Sequence, residues 1–227
     1  MKANVFEDAV ESSAKVFGRK AVRVVFEGSQ AKTNGDTITL PSMPASAEIT
    51  VDQADVIRGY RDHESMHVRC TDTSKKSMDR LAEFSTRSSG LGALIQYCED
   101  IRIEHAGVQE YPGMKHSLSA VNTHGAKALL AGIEAKGDVA TVLVGLPKPI
   151  QFRLVLQQVG RSAIGVESDG VFDAMAKVIK ASDPELYALA EKYGKRMAAL
   201  PTGYSRNSLS EAASKRGTAD AFDLAEE

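Results

Sequence analysis

The sequence predicts an α+β protein with a small N-terminal β-sheet and a mainly helical C-terminal half. Two observations carry this prediction. Short segments rich in β-branched residues lie before residue 52, and apolar residues recur at helical spacing along most of the chain after Ser77. Strands gathered ahead of a run of helices are typical of α+β domains, whereas strands that alternate with helices indicate an α/β sheet.

The N-terminal region is predicted to begin with a helix over residues 4–18 that ends at Gly18. A strand follows over residues 21–26. Asn34-Gly35 is a strong hairpin signal because both residues tolerate a positive φ, so we expect a return strand over residues 37–40. Residues 48–51 alternate polar and apolar side chains, which predicts one more short strand.

The rest of the chain is predicted to be helical up to about residue 199. Asp52 is a good N-cap for a helix that runs to about Cys70. Later helices are expected over residues 77–87, 91–110, 114–135, 148–160, 170–181 and 184–199.

The segment after Pro201 is rich in Ser, Ala and charged residues, which predicts a flexible tail over residues 201–227. Phe222 and Leu224 are bulky apolar residues among acids in this segment. Two interpretations stay open. The segment is either a docking peptide that uses these two residues as anchors, or a frayed terminus without a partner.

Composition and charge argue against several classes of protein. The formal net charge of −2 provides no basic field for nucleic acid. No apolar run is long enough to span a bilayer, and residues 1–8 lack the apolar core of a signal peptide. Cys70 and Cys98 are expected to be inert core cysteines, so we predict a cytoplasmic protein in a reducing compartment.

His63-Glu64-Ser65-Met66-His67 is an H-E-x-x-H sequence inside the helix predicted to start at Asp52. Residues four apart share one face of a helix, so both imidazoles can ligate one ion. Neutral imidazoles suit zinc, and Glu64 lies where its carboxylate can activate a water at the metal. We therefore expect one Zn²⁺ on His63 and His67, with Glu64 as the catalytic base. The alternative is a chance match on a solvated helix.

A catalytic zinc site usually has a third protein ligand. Glu99 falls on the apolar face of the second long helix, where a carboxylate is costly unless it is paired or metal-bound. Glu99 is thus the expected third ligand, with Asp100 in reserve. The alternative for Glu99 is a buried ion pair with Arg102. The residues expected to orient the ligands are Asp62, Arg102 and Glu104.

Four segments taken together carry a family resemblance. They are Ala31 to Pro41, Gly59 to Glu64 with His67, Glu99 to Glu104, and Tyr111-Pro112-Gly113. Over about residues 30–120 the chain resembles the N-terminal part of CobT-like proteins, which include the CobT subunit of cobaltochelatase and phage-encoded proteins. The resemblance implies a MoxR- or CobS-type AAA+ ATPase as a partner. It also implies a von Willebrand factor A domain, which we expect to be missing from these 227 residues because they contain no D-x-S-x-S sequence. A separate von Willebrand factor A protein would then be a further partner.

The complete H-E-x-x-H sequence shifts the expectation toward a zincin-like metallopeptidase fold of the gluzincin type. A protein of this kind would hydrolyse peptide bonds. Residues 1–110 would form the metal-binding domain, and residues 111–200 a helical extension packed on it. In such folds an extended substrate adds to the hairpin strand beside the metal helix, here Thr37, Ile38, Thr39 and Leu40.

Two non-enzymatic alternatives stay open. One is an adaptor for the AAA+ ATPase, with the metal serving structure only. The other is a virion-associated protein that keeps a zincin fold. If the chain is phage-encoded, its location would be the host cytoplasm or the virion.

Overall fold

A computed structural model of the protein describes residues 2–44 and 46–227, apart from the side chain of Ser89. The described chain is mainly helical with a small N-terminal sheet, so the predicted α+β class is confirmed. Its elements, in chain order, are α1 (Ala3–Gly18), β1 (Arg23–Phe26), β2 (Lys32–Thr33), β3 (Thr37–Leu40), α2 (Val51–Cys70), α3 (Lys75–Arg87), α4 (Ser89–Glu110), α5 (Met114–Glu134), α6 (Val139–Gly145), α7 (Lys148–Ala163), α8 (Val171–Ser182), α9 (Pro184–Ala198), β4 (Tyr204–Ser205), β5 (Ser208–Leu209) and α10 (Glu211–Glu226).

The N-terminal sheet has the strand order β1-β3-β2, with β1 parallel to β3 and β2 antiparallel to it. A hairpin turn forms at Asn34-Gly35 as predicted, but it joins β3 to the two-residue strand β2, which the sequence did not predict. The strand predicted before the turn is β1, and it runs parallel to β3. At the hairpin turn the Asn34 side-chain oxygen accepts from the backbone N–H groups of Asp36 and Thr37, at 3.0 and 2.8 Å. Gly35 adopts a φ of 90°, which a residue without a Cβ reaches at no steric cost.

The start of α2 differs from the prediction in two ways. Thr50, not Asp52, is the N-cap, because Thr50 and Gln53 form a reciprocal capping box. The predicted strand over residues 48–51 does not form, since Val51 already belongs to the helix. Glu48 makes only an isolated bridge to Lys2.

Helix α2 lies between two apolar cores. Ala54, Ile57 and Val68 pack into a cluster with α1 and the sheet. Met66 and Cys70 pack into a larger cluster that continues through α4 and the later helices. A helix buried on several sides can hold polar residues in fixed positions, and His63 and His67 belong to this helix.

Gly59 sets the contact between α2 and α5. A Cβ added at this position would clash with the backbone carbonyl oxygen of Ser117 on α5. Because glycine has no side chain, the two helices approach closely here. This approach brings α5 beside the histidines of α2.

The C-terminal segment corrects the prediction of a flexible tail. Residues 211–226 form α10, which begins at the N-cap Ser210 and packs on α4. Phe222 is 3% exposed and its ring lies 6.3 Å from that of Phe84, while Leu224 is also buried. Phe222 and Leu224 are therefore core residues and not free anchors for a partner. Composition alone underestimates this helix, because its burial depends on a surface that distant parts of the chain supply.

Helix α6 is a second element that the sequence-based prediction missed. The division into a metal-binding domain of residues 1–110 and a helical extension over residues 111–200 packed on it stays a prediction. Within the described residues, no single helix is long and apolar enough to cross a membrane. Helices α6 and α7 meet that test only when joined, and they are bent by 113°.

Candidate metal centre

His63 and His67 project from one face of α2, and their Nε2 atoms lie 3.2 Å apart. The other nitrogen of each ring has its own partner. His63 Nδ1 donates to Glu104 Oε1 at 3.0 Å, and His67 Nδ1 contacts Thr71 Oγ1 at 2.9 Å. These contacts fix both rings and leave the two Nε2 atoms facing one point, which is the arrangement of metal-ligating histidines.

Asp100 on α4 completes the group. Its Oδ1 lies 3.2 Å from His67 Nε2 and 3.8 Å from His63 Nε2. A tetrahedral ion with ligand bonds of about 2.0–2.1 Å separates its ligand atoms by about 3.3–3.4 Å. The three measured separations bracket this value. Among the described residues, His63, His67 and Asp100 form the one group of this kind.

Arg161 on α7 holds Glu104, the carboxylate that contacts His63. Its guanidinium donates to both oxygens of Glu104, from Nε at 2.9 Å and from Nη2 at 2.8 Å. Glu104, which is 2% exposed, is thereby held with one oxygen toward His63. The sequence by itself does not point to Arg161. A basic residue in the last turn of a helix is usually explained by the helix dipole, and nothing local links it to a residue 57 positions earlier.

The polar network shifts the pKa values of its members. Burial by itself lowers the pKa of His63, but the hydrogen bond to Glu104 and the charges of Asp100 and Glu104 raise it to about 9. Burial raises the pKa of Glu104, and the Arg161 charge and the His63 contact outweigh it, giving about 2. In the metal-free protein at neutral pH, Glu104 is therefore ionised and His63 is in its positively charged form, with a proton on both ring nitrogens.

Glu64 follows His63 on α2, is 7% exposed and lines the same cavity as His63 and Asp100. Burial raises the pKa of Glu64 above its usual range, although the charges of His63 and His67 act in the opposite direction. A carboxylate with a raised pKa accepts a proton more readily near neutral pH, as a general base must.

Glu99 is not part of the group, which corrects its assignment as the third ligand. Both of its oxygens accept from Arg102, at 2.8 and 2.7 Å, and one also accepts from Thr218 of α10 at 3.0 Å. The ion pair with Arg102 that the sequence left open is what forms. The prediction of Glu99 fails because α4 is buried on more than one face, and the half-buried Asp100 is the carboxylate that faces α2.

Two of the three residues expected to orient the ligands lie elsewhere. Asp62 accepts from Arg61 at 2.8 Å and from Ser117, and Arg102 is used by Glu99 and by the C-terminal helix. Only Glu104 contacts a histidine of the group.

The segment Thr37 to Leu40 cannot add a substrate strand, which corrects that expectation. It forms β3, the central strand, and both of its edges are already paired, to β1 and to β2. A new strand needs an edge with free N–H and C=O groups. The neighbouring β2 is an edge strand, and Ala31 beside it lines the metal cavity.

The two cysteines are free and buried, and neither belongs to the metal group. Burial raises the pKa of the Cys70 thiol to about 11 and that of Cys98 to about 12. Such thiols stay protonated and ligate poorly.

A family model with the description Cobalamin biosynthesis protein CobT matches residues 1–141. The chain belongs to the CobT family. The matched residues include all three members of the metal group, whereas Arg161 lies beyond them. No curated protein and no solved structure matches the chain. Membership of the CobT family relates the protein to cobalamin biosynthesis.

Proposed function

We propose that this CobT-family protein binds one zinc ion through His63, His67 and Asp100 and hydrolyses peptide bonds with Glu64 as the base. One observation carries the proposal. The two Nε2 atoms and the Asp100 oxygen converge at separations that suit one tetrahedral ion, and Glu64 opens into the same cavity. Two histidines of an H-E-x-x-H helix and a carboxylate from a later helix are the ligand pattern of zincin-like peptidases.

The donor set favours zinc over magnesium or calcium. Two imidazole nitrogens and one carboxylate oxygen suit a borderline metal, whereas magnesium and calcium take oxygen ligands. Three protein ligands also leave a fourth position for water or substrate.

The chain's own residues can then perform the proton transfers. Bound zinc would supply Lewis-acid polarisation of water and of a substrate carbonyl. A Glu64 carboxylate oxygen takes the proton of the attacking water and returns it to the leaving amine nitrogen. Glu104, held by Arg161, keeps the His63 Nδ1 proton in place, so His63 presents Nε2 to the ion.

Metal analysis of the purified protein tests the binding claim. Wild type isolated without added metal should carry about one zinc per chain, and His63→Ala should carry little. His124→Ala is the matched control, because His124 is exposed on α5 and outside the metal group. Wild type with no more divalent metal than His63→Ala would reject the site.

Peptide cleavage is tested separately. Glu64→Gln should keep the zinc and lose cleavage of casein, because an amide cannot accept the proton. Cleavage by Glu64→Gln at the wild-type rate would remove Glu64 from this role.

A second candidate is a non-enzymatic adaptor that partners an AAA+ ATPase while the metal holds the fold together. The resemblance to the CobT subunit of cobaltochelatase supports this candidate. In that case Glu64→Gln would keep every function of the protein. An ATPase of the MoxR or CobS type from the same genome should co-purify with wild type and with Glu64→Gln alike. Failure to co-purify would count against the adaptor.

A further inference from the structure

The cavity that contains the metal group extends well beyond it. Its volume is about 420 Å³, which lies within the range of about 300–1,000 Å³ found for small-molecule sites. His63, Glu64 and Asp100 line the polar end of the cavity. This volume exceeds what one ion and one water need, so the cavity has room for part of a larger molecule.

Apolar side chains from α5 and α8 line the remainder. Leu118 and Phe172 are 1% and 5% exposed, and Val121 adds a half-buried wall. Leu129 is 38% exposed and also lines the cavity. A cavity lined mainly by apolar side chains, with a few polar groups gathered at one end, is typical of small-molecule and side-chain binding sites.

Most polar side chains of this lining already have hydrogen-bond partners within the protein. Asn122 donates to the Glu167 carbonyl at 3.1 Å and accepts from Arg161 at 3.3 Å. Arg161 uses its other nitrogens on Glu104. Tyr60 and Gln157 are the further polar side chains of the lining. A charged ligand group in the apolar part would lose its hydration and find few hydrogen-bond partners in return, which is unfavourable.

Gly125 keeps one side of the cavity open. It lies in the middle of α5, where glycine costs about 1 kcal/mol relative to alanine. A Cβ added at this position would meet nothing within 4 Å. A larger residue at position 125 could therefore enter the cavity without disturbing the packing of α5.

We infer that the apolar part of this cavity binds a leucine- or phenylalanine-sized side chain of a peptide whose carbonyl group lies at the metal. The inference rests on the proposed function, and it adds the substrate class: peptides with a bulky apolar residue beside the bond that is cleaved. The charge-free wall of Leu118, Val121 and Phe172 selects such a side chain over a charged one.

Two hydroxamates test the inference without any need for cleavage. A hydroxamate chelates the metal, so N-acetyl-leucine hydroxamate and N-acetyl-glycine hydroxamate differ only in the side chain offered to the cavity. On the zinc-loaded protein, calorimetry should show that the leucine compound binds about 10- to 100-fold more tightly, as burial of an isobutyl group predicts.

Two glycine variants of α5 form a matched pair. Gly125→Leu should keep the zinc and lose the preference for the leucine compound, because the new side chain fills the cavity. Gly132→Leu is the control, since Gly132 is also exposed on α5 with nothing within 4 Å of an added Cβ, and lies outside the cavity lining. Gly125→Ala, a smaller change at the same position, should weaken the preference in part.

The possible outcomes distinguish a failure of the apolar site from a failure of the metal site. Equal binding of both compounds to zinc-loaded wild type would overturn the apolar site and leave the metal site standing. A leucine preference that survives in Gly125→Leu would also overturn it. A wild-type protein that takes up no zinc and binds neither compound would reject the proposed function, and the inference with it.

Discussion

Asp100 and Glu99 are adjacent carboxylates of α4 that have different partners. Asp100 faces the two histidines of α2, whereas Glu99 forms a bidentate ion pair with Arg102. Successive residues of a helix point about 100° apart, so a helix packed on two sides can place them in separate environments. The consequence is that neighbouring substitutions should have distinct effects.

Asp100→Ala should weaken zinc binding by more than about 100-fold, which is the upper end of the loss expected for an outer hydrogen-bond partner. The stability of the metal-free protein should change little by comparison. Competition with a fluorescent zinc chelator would measure the dissociation constant.

Glu99→Gln is the matched control for Asp100→Ala. It leaves the buried Arg102 charge without its carboxylate, which should cost about 3 kcal/mol of unfolding free energy and leave zinc affinity nearly unchanged. The opposite pattern, with zinc lost in Glu99→Gln and kept in Asp100→Ala, would reverse the ligand assignment.

Arg161→Met should lower zinc affinity by about 10- to 100-fold, because Glu104 would no longer be held against His63. Arg153→Met is the control on the same helix, since Arg153 is outside the cavity lining. The chelator competition measures both variants. Equal affinities in the two variants would show that Arg161 does not position the histidine.

Among the elements, α10 joins distant parts of the chain. Ser214 accepts from Arg102 of α4 at 2.9 Å, and the Thr218 hydroxyl accepts from the backbone N–H of Asp72 at 3.0 Å. Arg102 also donates to the Cys70 carbonyl at 3.0 Å, at the end of the helix that bears the histidines. The C-terminal helix therefore stabilises the end of α2.

Phe222→Ala should reduce the free energy of unfolding by about 3 kcal/mol, as expected for a buried phenylalanine. Leu189→Ala, at a residue 50% exposed on α9, should change it by less than about 0.5 kcal/mol. Urea unfolding followed by circular dichroism compares the two. A Phe222→Ala protein as stable as wild type would mean that α10 is detached in solution.

In the whole molecule, the metal group links helices far apart in sequence. His63 and His67 come from α2, Asp100 from α4, and the support for Glu104 from α7. An ion that binds the folded chain and not the unfolded one stabilises the fold by mass action.

Free zinc at about 100 times its dissociation constant should stabilise the protein by about 2.7 kcal/mol. For a chain of this size, that corresponds to a rise of about 5–10 °C in the melting temperature. Differential scanning calorimetry with and without a chelator would measure the shift. The shift should be small in Asp100→Ala, and a shift of wild-type size there would show that the zinc binds elsewhere.

Local sequence patterns were sufficient to predict the turns and helices that depend mainly on interactions between neighbouring residues. The turn at Asn34-Gly35, the helical run to Cys70 and most helices after it depend on turn chemistry and apolar periodicity, which neighbouring residues carry. Prediction failed at Asp52 because Thr50, two residues earlier, caps the helix through its reciprocal hydrogen bonds with Gln53, so Asp52 already lies in the first turn.

By itself, the sequence determined the fold class, the spacing of His63, Glu64 and His67, and the position of acidic residues on a second long helix. Only the tertiary structure decided that Asp100 rather than Glu99 meets the histidines, that Arg161 supports them, and that the last residues form a buried helix. The physical reason is the same in each case. Which face of a helix is buried, and which distant charge it meets, depends on the packing of remote elements, and spacing along one helix carries no information about that packing.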